Sequence, residues 1–352
     1  MLQYCLGAAL YMPAIRDFFS IIVDGKIRGL TTMVMCFEDA IKEEDVPQAE
    51  VNALRLLDKL SEAKKAGALR EEDIPLIFFR VRSPEQFESF SAKLQDNHVK
   101  LFAGFVFPKF AIVNGSAYFE HLRLLNLRFN EILYGMPILE SSHIAYKESR
   151  TVELAGIRQI VERYKDLVLN VRVGATDFSS CFGVRRGIDY TIYDILTVRD
   201  CLLDILNTFT RNNDYVVSGP VWEYFLVNDG MKFSDISADK IHRSLITRDP
   251  VINDAVDGLL REVILDKANG FIGKTIIHPT HLKYVNAMQC VTAEEYHDAL
   301  QILDTAGGVV KSERANKMNE IKPHTSWAKK VLARAKSYGV IEDETCYIKL
   351  FS

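Results

Sequence analysis

The chain alternates between short apolar runs and longer segments in which apolar residues recur at helical spacing. Each apolar run has strand length, and most end at or beside a Gly, a Pro or a charged residue, which predicts buried β-strands. Eight such runs cover residues 4–11, 31–37, 74–79, 101–107, 134–139, 167–173, 214–220 and 273–277.

Amphipathic segments separate these runs and predict helices. In residues 48–66, for example, apolar side chains recur every third position from Val51 to Leu60, and Gly67 ends the helix. A helix between two strands makes the strands parallel and favours their adjacency. Eight alternations therefore predict an α/β fold, a TIM (β/α)8 barrel. A doubly wound open sheet is the alternative, but no glycine-rich phosphate loop follows the first strand.

The pattern changes near residue 290. We expect the barrel to cover residues 1–290 and a helical C-terminal appendage to cover residues 291–352, with helices over 294–306 and 326–338. The appendage is expected to pack on the barrel or on a neighbouring subunit.

Composition excludes several classes of protein. The 352 residues are 48% hydrophobic and carry a net charge of −4, so nothing draws the chain to nucleic acid or to an anionic membrane. No apolar run has the ~18 to 20 residues that span a bilayer, and no secretion signal is visible. The six cysteines are scattered without a C-x-x-C motif, which indicates reduced thiols, a cytoplasmic location and no structural zinc.

Charged residues follow most of the predicted strands directly. Since active sites of barrels lie at the carboxyl ends of the strands, these residues are the candidates for chemistry. The alternative is that charges merely begin wherever a buried strand ends. The set comprises Glu38, Asp39, Arg80, Arg82, Lys109, Glu140, Asp177 and His278.

Glu140 and Asp177 are the candidate metal ligands. They follow the fifth and sixth predicted strands, and neighbouring parallel strands lie about 5 Å apart. Two carboxylates so placed suit Mg²⁺, or Mn²⁺, with water and substrate oxygens completing an octahedral shell. The alternative for Glu140 is a cap on the following helix.

The basic residues suggest substrate contacts. Arg80 or Arg82 is suited to bind a carboxylate, and Lys109 to stabilise developing enolate charge. A surface ion pair is the alternative for Arg82. His278 suits substrate orientation or acid–base work, but a hydrogen-bonded structural histidine is an equal alternative.

Six short motifs resemble the HpcH/HpaI aldolase and citrate lyase β-subunit superfamily, in particular the carbon–carbon lyases associated with tellurium-resistance operons. They occur in family order, one per strand. The matching pieces are Met-Cys-Phe-Glu-Asp-Ala-Ile (35–41), Phe-Arg-Val (79–81), Phe-Pro-Lys (107–109), Pro-Ile-Leu-Glu (137–140), Gly-Ala-Thr-Asp-Phe (174–178) and Gly-Lys-Thr-Ile-Ile-His-Pro (273–279).

The resemblance implies a Mg²⁺-dependent lyase acting next to a carbonyl, often of a hydroxyacyl-CoA, and commonly a homotrimer or hexamer. Glu140 and Asp177 would hold the metal, and Arg80 the substrate carboxylate. Two departures stand out. Arg82 replaces the family asparagine, and Met-Asn-Glu at 318–320 replaces a Met-Ile-Asp segment whose carboxylate is the acid/base, often in a neighbour's site. Glu320 is the corresponding candidate.

Two other functions stay open. One is a hydrolase or transferase for a phosphorylated metabolite, in which Arg82, Arg185 and Arg186 would contact phosphate. The other is a non-catalytic barrel that serves as a subunit of a biosynthetic complex.

Overall fold

Parallel strands form the centre of the molecule. The computed structural model describes residues 1–225, 251–312 and 317–351. Within these residues seven strands make one sheet in the order β6-β5-β4-β3-β2-β1-β7, and each neighbouring pair is parallel. The strands are β1 (Ala8–Pro13), β2 (Thr32–Cys36), β3 (Leu76–Arg80), β4 (Gly104–Phe107), β5 (Tyr134–Leu139), β6 (Arg172–Val173) and β7 (Lys274–Ile276).

Residues 217–219 close this sheet into a ring. Val217 bridges Val171 beside β6, and Gly219 bridges Lys274 of β7. The main-chain N–H of Ile272 donates to the Val217 carbonyl at 2.9 Å. The predicted strand at 214–220 thus occupies the eighth position, between β6 and β7. The barrel prediction is confirmed, and the open sheet is excluded.

Helices surround the barrel. Those between its strands are α1 (Phe19–Val23), α2 (Val46–Lys65), α3 (Pro84–Ala92), α4 (Ile112–Phe129), α5 (Ser142–Ala145), α6 (Lys147–Arg163), α7 (Ala175–Cys181), α8 (Leu196–Phe209) and α9 (Asp254–Asn269). After β7 come α10 (Leu282–Met288), α11 (Ala293–Asp304), α12 (Ile321–Tyr338) and α13 (Tyr347–Phe351). No helix in the described part of the chain is sufficiently long and apolar to cross a membrane.

Some element bounds differ from the prediction. β1 begins at Ala8 rather than at residue 4, because Gly7 has a left-handed backbone (φ 52°) that an extended strand does not allow. The sixth run forms a regular strand only at Arg172–Val173. Instead, the main-chain N–H of Val171 donates to the Val216 carbonyl, and the Val171 carbonyl accepts from the N–H of Ser218.

Beyond residue 290 helices dominate, as predicted, but short strands accompany them. β8 (Val291–Thr292) pairs in parallel with β11 (Val340–Ile341), and β9 (Val309–Lys311) forms an antiparallel pair with β10 (Met318–Glu320). Here α11 and α12 bury their own apolar cluster, which includes Ile302. A domain boundary near residue 290 remains a proposal.

Alternation along the strands places polar groups at the upper end of the barrel interior. Successive side chains in a strand point to opposite faces. One face contributes to an inner apolar cluster that includes Val34, Phe78 and Ile138, whereas the other packs against the helices. Two residues past Phe78 on the same face comes Arg80, and two past Ile138 comes Glu140. The barrel core thus ends in a layer of charge.

Candidate active site at the barrel rim

Glu140 and Asp177 face each other across Gly174. Glu140 follows β5 and is 5% exposed, and Asp177 lies in the first turn of α7. A Cβ added to Gly174 would lie less than 2.5 Å from Oε2 of Glu140 and 3.0 Å from Oδ2 of Asp177. These two oxygens are therefore less than about 5.5 Å apart, by the triangle inequality. Gly174 leaves open the space between them.

Arg80 joins three carboxylates at this rim. Its Nη2 lies 2.7 Å from Oε2 of Glu38, and 3.2 Å from both Oδ2 of Asp39 and Oε1 of Glu140. Burial alone would lower the pKa of this guanidinium, but Glu140 and Glu38 outweigh burial and raise it. Arg80 is thus held charged and fixes the orientation of Glu140. Its Nε has no hydrogen-bond partner within the described residues.

Lys109 supports the same group through its main chain. It adopts a left-handed backbone (φ 47°), which is uncommon for a residue other than Gly. In this conformation its main-chain N–H donates to Oε1 of Glu140 at 2.8 Å, while its Nζ lies 2.7 Å from Oε1 of Glu38. Strained backbone that positions a carboxylate is characteristic of functional sites.

The electrostatics of the cluster favour an added cation. The cluster contains four carboxyl groups and two cations. The carboxyl groups belong to Glu38, Asp39, Glu140 and Asp177, and the cations are Arg80 and Lys109. Burial raises the pKa of Glu140 to about 7, against the opposing effect of Arg80, and nearby Asp177 raises it further. Burial also raises the pKa of Asp177, with a contribution from Asp39. The pKa of each carboxyl is thus raised by burial and by a neighbouring acid, and a bound cation would oppose both effects.

A cavity of about 730 Å³ opens beside this cluster. Its lining includes Arg80, Glu140, Asp177, Arg172 and Arg16. Acidic and basic groups therefore face the same space, which can hold a small anionic molecule together with a cation.

Five of the predicted residues are absent from this lining. Glu38 and Lys109 belong to the charged cluster beside the cavity, where they form an ion pair at 2.7 Å. Arg82 donates from Nη1 to the Phe37 carbonyl at 3.3 Å. His278 stacks on Phe225, with ring centroids 4.0 Å apart. Glu320 is exposed in β10, within the C-terminal region.

The sequence reasoning missed Arg172. It lies in β6 opposite Ile138, on the inner face of the barrel. It was counted within an apolar run, because Val171 and Val173 flank it. The alternation of polar and apolar residues along this strand could have identified it. Asn170 and Arg172 lie on one face of the strand, and the two valines lie on the other.

Solved structures show the same fold. CitE from Mycobacterium tuberculosis, in complex with magnesium, acetoacetate and coenzyme A, aligns with a TM-score of 0.59 at 17% identity and covers 95% of this chain and 99% of its own. RipC from Yersinia pestis aligns at 0.53 and 17% identity over 83% and 99% of the two chains. The M. tuberculosis citrate lyase β subunit with oxaloacetate and magnesium gives 0.50 and 16% over 81% and 96%. A search of curated protein sequences gave no significant match.

A family model provides the assignment that these distant structures cannot. The model described as C-C bond lyase of the TIM-barrel fold matches residues 1–340. The predicted membership of the carbon–carbon bond lyases is thereby confirmed. The chain belongs to the carbon–carbon bond lyase family of the TIM-barrel fold and is an enzyme of that class.

Proposed function

We propose that this lyase requires Mg²⁺, or Mn²⁺, and breaks or forms a carbon–carbon bond next to the carbonyl of a small carboxylate or acyl-CoA substrate. The observation that carries the proposal is the gap at Gly174. Oε2 of Glu140 and Oδ2 of Asp177 flank a space that a single added carbon would fill.

The donor set suits a small hard cation. Mg²⁺ prefers oxygen ligands at about 2.0–2.1 Å and is usually held by one or two carboxylates, with waters and substrate oxygens in the remaining positions. The described residues contain no cluster of three or more His, Cys, Asp or Glu side chains arranged around one metal position. Two carboxylates would leave positions open for substrate. When bound, the ion would polarise the substrate carbonyl and stabilise enolate charge.

Arg80 and Lys109 would maintain this geometry. Oε1 of Glu140 accepts from both, through Nη2 of Arg80 and the main-chain N–H of Lys109, so Oε2 stays directed toward Gly174. Arg80 also lines the cavity, where its guanidinium would donate to a substrate carboxylate. Cationic groups beside the cluster would also favour negative charge that develops on the substrate.

Proton transfer would involve Glu320 of a neighbouring subunit. Glu320 is exposed on the C-terminal hairpin and does not line its own chain's cavity. A homotrimer or hexamer would bring this hairpin to an adjacent barrel mouth. Light scattering of the purified chain would measure the subunit count, and a monomer would remove Glu320 from the proposal.

The structural neighbours support this choice of ligands. The CitE structure contains magnesium with acetoacetate and coenzyme A, and the citrate lyase β structure contains magnesium with oxaloacetate. We infer that this chain also binds a divalent ion and a small carboxylate, because its own carboxylates provide suitable ligands for the ion.

The three arginines of the phosphate-binding alternative do not line the cavity. Arg186 is buried and pairs with Glu262 and Glu223, and neither Arg82 nor Arg185 lines the cavity. We therefore favour a carboxylate substrate.

Calorimetric titration of Mg²⁺ tests the proposal. We expect binding to the wild-type chain and a loss of at least about tenfold in affinity for Asp177→Asn. The matched control is Asp166→Asn, which removes an exposed carboxylate before β6. Equal affinity in wild type and Asp177→Asn would contradict the assignment. In parallel, keto acids and acyl thioesters would be assayed for cleavage with and without EDTA.

A further inference from the structure

Arg172 is a buried guanidinium for which the described residues supply no anionic partner. It is 1% exposed and points into the barrel beside Ile138. Its Nη2 donates to Oγ1 of Thr275 at 2.7 Å, and its Nη1 contacts Oδ1 of Asn170 at 3.5 Å. Its Nε has no partner in the part of the chain that the structure describes.

Four other buried arginines include three whose Nε also has no partner among the described residues, but the terminal nitrogens of all four meet carboxylates or carbonyl oxygens of the protein. Arg80, Arg150 and Arg186 each lie within 4 Å of two or more carboxylates, and Arg334 donates to two main-chain carbonyl oxygens. Among the described residues no carboxylate forms an ion pair with Arg172. Because burying an unpaired charge is costly, Arg172 suggests an anion that is supplied from outside the chain.

Tyr11 provides a second unsatisfied group at the same place. Its ring centroid lies 5.4 Å from Cζ of Arg172, and its buried hydroxyl has no hydrogen-bond partner within the described residues. Tyr11, Arg172 and Thr275 all line the cavity that Glu140 and Asp177 line. The side chains of an arginine, a tyrosine and a threonine therefore form part of the wall beside the candidate metal ligands.

We propose that Arg172, with the hydroxyls of Tyr11 and Thr275, binds a second carboxylate of the substrate, and that the substrate is a short dicarboxylate. The proposal rests on the proposed function, in which the carbonyl end of the substrate lies at Glu140 and Asp177. Arg172 precedes Gly174 by two residues, so their Cα atoms are about 7 Å apart, a distance that one small molecule can span. One guanidinium with neutral hydroxyls matches a singly charged carboxylate better than a phosphate dianion.

A matched pair of ligands tests this subsite. 2-Oxoglutarate and 2-oxopentanoate share an α-keto acid and chain length, and differ in a terminal carboxylate against a methyl group. With Mg²⁺-loaded wild-type chain, calorimetry is expected to show tighter binding of the dicarboxylate by about tenfold or more. In Arg172→Gln that preference should fall to about one, with the affinity for 2-oxopentanoate unchanged. Arg172→Lys should retain part of the preference.

Two measurements separate binding from structure. Arg172→Gln removes a buried charge that no described carboxylate neutralises, so we expect its resistance to urea to equal or exceed that of the wild type. A purely structural arginine would instead lose stability on replacement. The Mg²⁺ affinity of the variant should match that of the wild type.

A binding experiment without metal distinguishes an error in the carboxylate subsite from an error in the proposed function. Succinate should bind metal-free wild type and not Arg172→Gln, and this result would support the subsite even if Mg²⁺ does not bind. An unchanged preference in Arg172→Gln, or no preference in the wild type, would overturn the proposal. Tighter, Arg172-dependent binding of 3-phosphonopropionate than of succinate would overturn the assignment to a carboxylate.

Discussion

Gly174→Ala offers a direct test of the space between the two carboxylates. Gly174 has φ −104° and ψ 78°, so alanine brings no left-handed strain. Its new Cβ would instead lie 2.5 Å from Cβ of Glu140, closer still to Oε2, and 3.0 Å from Oδ2 of Asp177. Glu140 cannot simply retreat, because its Oε1 accepts from Arg80 and from the main chain of Lys109.

Two effects of different size follow. Forcing a methyl group into contacts this short typically costs about 1–3 kcal/mol of folding free energy, which urea denaturation would measure. Metal affinity should fall by about 10- to 100-fold, the loss typical when the support of a ligand is disturbed. Calorimetric titration of the variant with Mg²⁺ would measure this loss of affinity.

Gly183→Ala is the matched control. Gly183 has φ 63° and nothing within 4 Å of its added Cβ, so alanine there is strained but meets no neighbour. It should lose roughly 1–2 kcal/mol of stability and leave Mg²⁺ affinity unchanged. If Gly174→Ala bound Mg²⁺ as tightly as the wild type, the gap between Glu140 and Asp177 would not be the metal position.

Two further predictions concern the groups around Glu140. Since burial raises the pKa of Glu140 to about 7, above its ordinary value of 4.5, a proton competes with the metal below pH 7. The Kd for Mg²⁺ should therefore rise about tenfold per pH unit between pH 7 and 5, and a flat profile by calorimetry would contradict this. At Lys109, Gly relieves the left-handed backbone that Ala retains, so Lys109→Gly should exceed Lys109→Ala in unfolding free energy by roughly 1–2 kcal/mol. Equal urea midpoints would show that no strain is stored there.

Much of the barrel could be predicted because buried parallel strands are continuous apolar runs and the helices between them are amphipathic. The ends were less predictable. The start of β1 depends on a turn at Gly7. The hairpin of β9 and β10 was missed because each strand has three residues and includes charge, which gives no strand signal.

The candidate site was predictable to the extent that the end of a strand determines the position of a residue. Glu140 and Arg80 could be placed at the rim, and the structure brings them to 3.2 Å. Side-chain direction was harder to predict beyond the strand. After β7, Ile277 lines the cavity, whereas His278, one residue further, stacks on Phe225 instead. A charged residue after a strand is therefore an incomplete indication of a site residue. The direction of its side chain, toward the cavity or away from it, determines its surroundings.

The two cations inside strands show how this face separates binding from structure. Lys274 of β7 and Arg172 of β6 are both fully buried within apolar runs. Lys274 pairs in register with Ala8, on the face toward the helices, and its Nζ meets two carboxylates of α9 at 2.9 and 2.7 Å. Arg172 pairs with Ile138, on the face toward the cavity, where no described carboxylate meets it. A helix can neutralise a charge on the outer face, but only a ligand or another strand can do so inside. An unpaired charge on the inner face is therefore the stronger indication of a binding site.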